Sequence, residues 1–318
     1  MRPARERRVQ LWQGQKEVSS ALGHLAELHL PHPPRRVVSL VPSITESLFD
    51  LQCGERLVGL TDYCVHPADK VKRVPNRVGG TKNPDLKRVK AALPDLIIAN
   101  QEENRKEDVE ALEAEGYKVW VTFPCTVAGA FELLWALIRV LDVPQMTPVV
   151  DMLERTFEWT SRAAEENPPV SVFCPIWREP KAPEPARWWM TVNRSTYVHD
   201  LLRVCGGANV FADRDRHYPL AADLGGASAD PAAAERDTRY PRVTPAEVAG
   251  RAPEVILLPS EPFPFTEADL NAFDAFPDIP AVQNKRIYLV DGSLLTWHGT
   301  RVGKALAELP GLFSLTAN

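Results

Sequence analysis

The sequence predicts an α/β protein of two lobes with mainly parallel sheets, joined by one long helix. Three observations predict it: short uninterrupted apolar runs, amphipathic stretches between them, and a long helical segment between prolines near mid-chain. Short buried strands alternating with helices form parallel sheets, because each crossover helix covers a sheet face. Residues 37–41 are a continuous apolar run. Pro42 and Ser43 then start a helix carrying Ile44, Leu48 and Leu51 at spacings of four and three. Residues 57–60, 96–99 and 119–122 read as further strands, with helical stretches near 85–92 and 104–115. Residues 126–141 place Val127, Phe131, Leu134 and Ile138 on one stripe. Pro144 and Pro148 interrupt the chain before the helix predicted at 147–166, which carries Val149, Met152, Leu153 and Phe157. At about 1.5 Å per residue it reaches roughly 30 Å, enough to connect two lobes rigidly. Pro168 and Pro169 end it. The second half repeats the alternation more loosely: a strand at 170–173, a helix at 197–204 closed by Gly206 and Gly207, strands at 255–258 and 287–290, and a last helix at 301–309.

The expected organisation is an arm at 1–34 ending in Pro31, Pro33 and Pro34, a first lobe at 35–124, a helical connector at 125–168 and a second lobe at 169–318. Residues 212–242, rich in Ala, Asp, Gly and Pro with little periodicity, read as a surface insertion, partly disordered or lying over the cleft. The 37 Lys plus Arg against 42 Asp plus Glu give a net charge of −5, no electrostatic footprint for nucleic acid. At 318 residues, 44% hydrophobic and 25% charged, the composition is that of an ordinary globular protein. No apolar run approaches the roughly 18 residues that a membrane-spanning helix needs. Arg2, Arg5, Arg7 and Arg8 begin the chain as a secretory signal would, but Gln10, Gln13, Gln15, Lys16 and Glu17 interrupt the apolar stretch that should follow. The expectation is a cytoplasmic protein; an upstream start site would instead make it periplasmic or surface-bound. Cys53, Cys64, Cys125, Cys174 and Cys205 are odd in number and lack a CxxC pair, which fits reduced thiols.

The stretches "RRVVSLVPSITESLFDLQCGERLVGLTDYCVHP", "GGTKNPDLKRVKAALPDLIIAN", "TYVHDLLRVCGGANVF" and "VTPAEVAGRAPEVILL" together resemble the helical-backbone (class III) solute-binding proteins of ABC importers, nearest their cobalamin-binding branch. The resemblance covers about residues 36–310. It implies two lobes bridged by one helix, a cobalamin, haem or ferric siderophore held in the cleft between them, and a monomer. It puts a cleft tyrosine at Tyr63, and it puts Thr81 and Asn100 where the family carries two cleft tryptophans. The glutamates that pair with the importer permease fall on Lys87 and Ala246, so one docking contact reverses sign. Glu247, next to Ala246, points about 100° away on a helix.

Candidate site residues follow the strand ends, where α/β folds gather ligand contacts. Tyr63, Cys64 and His66 follow the second strand. A thiolate and an imidazole two positions apart can take zinc, iron or a corrinoid cobalt, which makes Cys64 and His66 the candidate metal ligands; the plainer reading is a buried thiol beside a surface histidine. Asn100, Gln101, Glu102, Glu103 and Asn104 follow the third strand, where they can bind a hard cation or ligand amides. The helix dipole alone also accounts for the two glutamates. In the second half, Trp177, Arg178, Trp188 and Trp189 can form an aromatic wall with one cation. Adjacent Trp188 and Trp189 point to opposite faces of a strand, so one of the pair, Trp189 in this reading, faces the cleft. Trp297, His298 and Arg301 follow the last strand at the cleft rim. Ser, His and Asp are all present, but there is no GxSxG, P-loop, GxGxxG or HExxH, so the expectation is a binding protein, not an enzyme, without a prosthetic group. The rival reading is a cytoplasmic metal-binding or sensing protein on the same fold.

Overall fold

Two four-stranded parallel sheets, one in each half of the chain, carry the architecture of the computed structural model, which describes residues 20–179, 186–233 and 236–314. In the first, β1 (Val37–Ser39), β2 (Leu57–Leu60), β3 (Leu96–Asn100) and β4 (Val119–Thr122) lie in the order β2-β1-β3-β4. Every residue of β1 and β3 is buried, as in strands covered on both faces, so these runs are apolar up to their last residues, Ser39 and Asn100, instead of alternating. Helix α1 (Pro42–Asp50) leaves β1 with proline in its first turn, where no N–H is needed. Helix α2 (Leu86–Ala91) is capped by the Asp85 carboxylate, which accepts from the Lys87 and Arg88 amides. Val89 of α2, with Val109 and Leu112 of α3 (Lys106–Ala114), covers one sheet face over Val38, Ile97 and Val119.

The other face packs on α4 (Val127–Val140), capped by Thr126, and from there the chain enters α5 (Thr147–Glu165). The 19 residues of α5 span about 28 Å, and only Val150 of them is buried. Beyond it, β5 (Val170–Phe173) and β8 (Gly207–Asn209) join β10 (Val255–Pro259) and β11 (Ile287–Val290) in the order β11-β10-β5-β8, again parallel. A small antiparallel sheet of β6 (Trp177–Arg178), β7 (Trp189–Met190) and β9 (Arg242–Val243) follows the carboxyl end of β5. One apolar cluster runs from Ile98 and Trp120 of the first sheet through α4 to Val172 and Leu257 of the second, so the lobes share a core.

Two segments outside the sheets are held by specific contacts. Residues 1–19 of the arm lie outside the described residues, but the rest of it is packed: Ala21 is buried, its carbonyl accepts from the Phe123 amide, and the Leu22 carbonyl accepts from the Trp120 indole. The described part of 212–242 holds the helix Leu220–Asp223 and a fully buried Asp223. That carboxylate accepts from the His217 and Arg242 amides and from Arg214. The segment is tied down by charge and not by apolar periodicity.

Candidate ligand site between the lobes

The lobes meet along a polar seam built on one face of α1. Ile44 and Leu48 turn into the core, which leaves Ser43, Glu46, Ser47 and Asp50, at spacings of three, one and three, facing the second lobe. There they meet the turn at 298–301. Glu46 takes a two-point ion pair from Arg301 at 2.6 and 2.7 Å, Thr300 bonds Asp50 at 2.7 Å, and the Thr300 amide donates to Ser47. Gly299 has φ +89°, and a Cβ there would lie 2.3 Å from the Ser47 oxygen, so glycine is required on both counts. His298 is buried between Ser43 (3.3 Å from Nδ1) and Asn100 (3.4 Å from Nε2). The Asn100 amide can only donate, so Nε2 accepts and Nδ1 carries the proton that Ser43 receives. Burial pushes the His298 pKa down to about 4 and keeps the ring neutral. His298 and Arg301 are therefore seam residues and not cleft-rim ligand contacts, because their polar atoms are already spent between the lobes.

In front of this seam, side chains from both lobes converge. From the first come Tyr63, which is 63% exposed with its ring over Gly80, and His66, whose ring meets Trp297 edge-on at 5.6 Å. Lys82, Glu102 and Glu103 lie beside them. Burial raises the Glu103 pKa; Lys82 opposes this, while Glu102 and Glu261 of the second lobe add to it. From the second lobe comes Glu261, which accepts from Thr296 and whose charge acts on Glu103; two residues on, Phe263 packs edge-on against Trp177. Arg239 bonds Glu102 at 2.6 Å and stacks over Phe123, and the Tyr240 hydroxyl also donates to Glu102. Lys82 donates to the Glu102 carbonyl. The mouth is thus strapped shut by one carboxylate shared between lobes. Cavities of about 600, 400 and 560 Å³ lie elsewhere, on outer faces of the second lobe and of α5.

Several other expected contacts are corrected. Trp189 is core: it stacks on Phe273 at 5.1 Å, and its cross-strand partner Val243 is also buried. Arg178 is buried in an ion pair with Asp269 and offers no free cation. Asn104 is buried, bonding the Leu40 and Thr81 carbonyls with its amide and the Asn100 amide with its oxygen, so it shapes the loop after β3. Asn100 is equally buried, bonded to Thr122 and His298. Cys64 does not join His66 in a metal site. Its thiol points inward to the Thr45 and Thr61 hydroxyls, each at 3.1 Å, and burial raises its pKa; no metal-holding group of three His, Cys, Asp or Glu occurs among the described residues. Lys87 and Ala246 are exposed in the first turns of α2 and of the helix Pro245–Arg251, while Glu247 closes a capping box with Thr244 and pairs with Arg214. Sequence reasoning missed the strap residues Arg239 and Tyr240, for which no pattern existed. It also missed the polar stripe of α1, which its spacing opposite Ile44 and Leu48 would have revealed.

Comparison with known proteins fits this geometry. A family model described as periplasmic binding protein matches residues 37–294. The vitamin B12-binding protein of Vibrio cholerae serotype O1 is 24% identical over 191 residues, 59% of this chain and 65% of that protein, so the match spans under two thirds of its length. The crystal structure of the periplasmic vitamin B12 binding protein BtuF of Vibrio cholerae superposes with a TM-score of 0.69 at 19% identity, covering 88% of this chain and 97% of that one. The periplasmic heme-binding protein RhuT from Roseiflexus sp. RS-1 gives 0.68 at 22% identity, covering 88% and 97%. The family match and the periplasmic proteins named here overturn the cytoplasmic expectation. No helix among the described residues is long and apolar enough to cross a membrane. With the matched region extending from β1 to the short helix Gly292–Thr296 that leads into the seam, the chain belongs to the periplasmic binding protein family.

Proposed function

We propose that the chain captures a corrinoid such as cobalamin, or a related metal chelate (haem or a ferric siderophore), between its lobes, and releases it chemically unaltered to a membrane importer. The observation that carries this reading is the pair of partly exposed aromatic faces, Tyr63 at 63% and Trp177 at 37%, one on each lobe at the strand ends, on a framework that the seam makes rigid. Flat aromatic surface with few polar groups suits a large planar ligand in a largely preformed cleft. The names of the relatives support the same ligand class. Entry requires the Glu102 bonds to Arg239 and Tyr240 to part. The ligand is cargo, and the cleft residues bind and orient it. Lys87 and Ala246 would give importer docking a charge pattern different from the paired glutamates expected from the resemblance.

Calorimetric titration of the full chain with cobalamin, haemin and a ferric siderophore tests the reading. One ligand is expected to bind saturably at one to one, and Tyr63→Ala and Trp177→Ala each to weaken it about tenfold or more, the scale of one aromatic contact. No binding by any of the three to a folded, ligand-free sample overturns the reading.

A further inference from the structure

On the segment that straps the cleft, carboxylates pair with some arginines and leave others without an ion pair among the described residues. Arg214 is met by Asp223 at 3.1 Å and Glu247 at 3.3 Å, and Arg239 by Asp237 at 2.7 Å and Glu102 at 2.6 Å. Arg216, in contrast, makes no ion pair among the described residues; its guanidinium lies 4.2 Å from the centre of the Tyr218 ring, with Arg236 at 5.2 Å on the same ring. The carboxylate beside Arg242 is Asp223, at 4.0 Å and already engaged by Arg214. The Arg242 guanidinium lies 5.9 Å from the centre of the Trp188 ring. The Nε atoms of both Arg216 and Arg242 are buried without an acceptor. Burial, and then the charge of Arg216, lower the Arg242 pKa. Buried donors are nearly always satisfied, and leaving a charged one unpaired is costly, so two in one cluster call for a missing acceptor.

The fold puts this pair beside the cleft. Across the small antiparallel sheet Trp177 pairs with Met190 and Met190 with Arg242, so these three share a face, while Arg178, Trp189 and Val243 fill the buried face. The Arg242 face is therefore the face of the exposed tryptophan. Three residues upstream, the Arg239 side chain reaches the first lobe at Glu102, and at about 3.3 Å per residue the Arg242 backbone lies within roughly 10 Å of the Arg239 backbone.

We propose that Arg216 and Arg242, backed by the rings of Tyr218 and Trp188, form an oxyanion subsite that takes a carboxylate or phosphate on the fringe of the ligand in the cleft. The proposal rests on the receptor reading above and narrows it to ligands with an acidic fringe. A guanidinium offers paired donors that match a carboxylate or phosphate edge, and an arriving oxyanion neutralises two adjacent like charges at once.

The test titrates the full chain with haemin and its dimethyl ester, with cobalamin and with cobinamide, which lacks the phosphate-bearing tail, and with inorganic phosphate. Wild type, Arg216→Gln, Arg242→Gln, the double Gln variant and the double Lys variant are compared. Wild type is expected to lose tenfold or more in affinity when the acid group is removed. The double Gln variant binds both members of a pair alike, and the double Lys variant recovers part of the difference. A difference in the haemin pair assigns the subsite to carboxylate, and one in the corrinoid pair to phosphate. Equal ratios in wild type and double Gln variant overturn the subsite and leave the receptor reading intact. If no macrocycle binds wild type, phosphate decides: a rise in wild-type Tm that the double Gln variant lacks keeps the subsite and removes the receptor reading, and no rise overturns both.

Discussion

His298 bonds one lobe to the other only while its ring is neutral. Its pKa is depressed to about 4 by burial, so in the acid range the unfolded chain binds a proton that the folded chain refuses. The stability it contributes is complete above the ordinary histidine value of about 6.5 and is lost as pH falls through that value toward 4, a loss of roughly 3 kcal/mol. Urea denaturation between pH 4 and 7 is expected to show this slope in the wild type and to flatten in His298→Gln; an equal slope in both refutes the assignment. The two tryptophans on the small sheet separate in the same way. Trp189→Ala empties a buried stack on Phe273 and is expected to cost about 3–5 kcal/mol, whereas Trp177→Ala, on the open face, changes the urea midpoint little. Alternation along a strand says that Trp188 and Trp189 part, but not which of them meets the core. That choice depends on Phe273, which lies far along the chain.

Helix α1 does two jobs with two faces. Its apolar stripe was readable from spacing alone, and its polar stripe has meaning only once the turn at 298–301 is brought against it. The Glu46–Arg301 pair is largely withdrawn from water, so removing one partner leaves the other charge uncompensated. Arg301→Ala is expected to lower stability by about 3–5 kcal/mol by chemical denaturation, and Arg301→Lys, which loses the two-point geometry, to recover only part. Strand and helix bounds agree with the sequence reading to within about two residues, because buried runs and caps such as Asp85 and Thr126 are local signals.

At the scale of the molecule, a shared apolar core and the seam hold the back of the lobes together, while at the front the lobes meet through the bonds to Glu102 and the ring contacts of Trp297 with His66 and of Arg239 with Phe123. The back resists hinge motion and the front is a removable strap. Glu102→Gln combined with Arg239→Gln is expected to raise the ligand association rate several-fold in stopped-flow mixing with little change in the urea midpoint; an unchanged rate would mean that the strap does not gate entry. A ligand that binds is expected to leave the radius of gyration by small-angle scattering nearly constant, since no hinge opens.

By itself the sequence determined the two α/β lobes, seven of the eight strands in the two parallel sheets and the long connecting helix, since apolar periodicity, prolines and caps act within a few residues; it did not show Gly207–Asn209 or the small antiparallel sheet. It also brought out Tyr63 and Trp177 as aromatic groups at strand ends. Only the tertiary structure decided that His298 and Arg301 lock the seam, that Cys64 turns inward away from His66, and that residues 212–242 tie Glu102 across the cleft. The physical reason is the same in each case. A polar or charged side chain takes its role from the partner that answers it, and for Ser43 with His298, Glu46 with Arg301 and Glu102 with Arg239 that partner lies more than a hundred residues away.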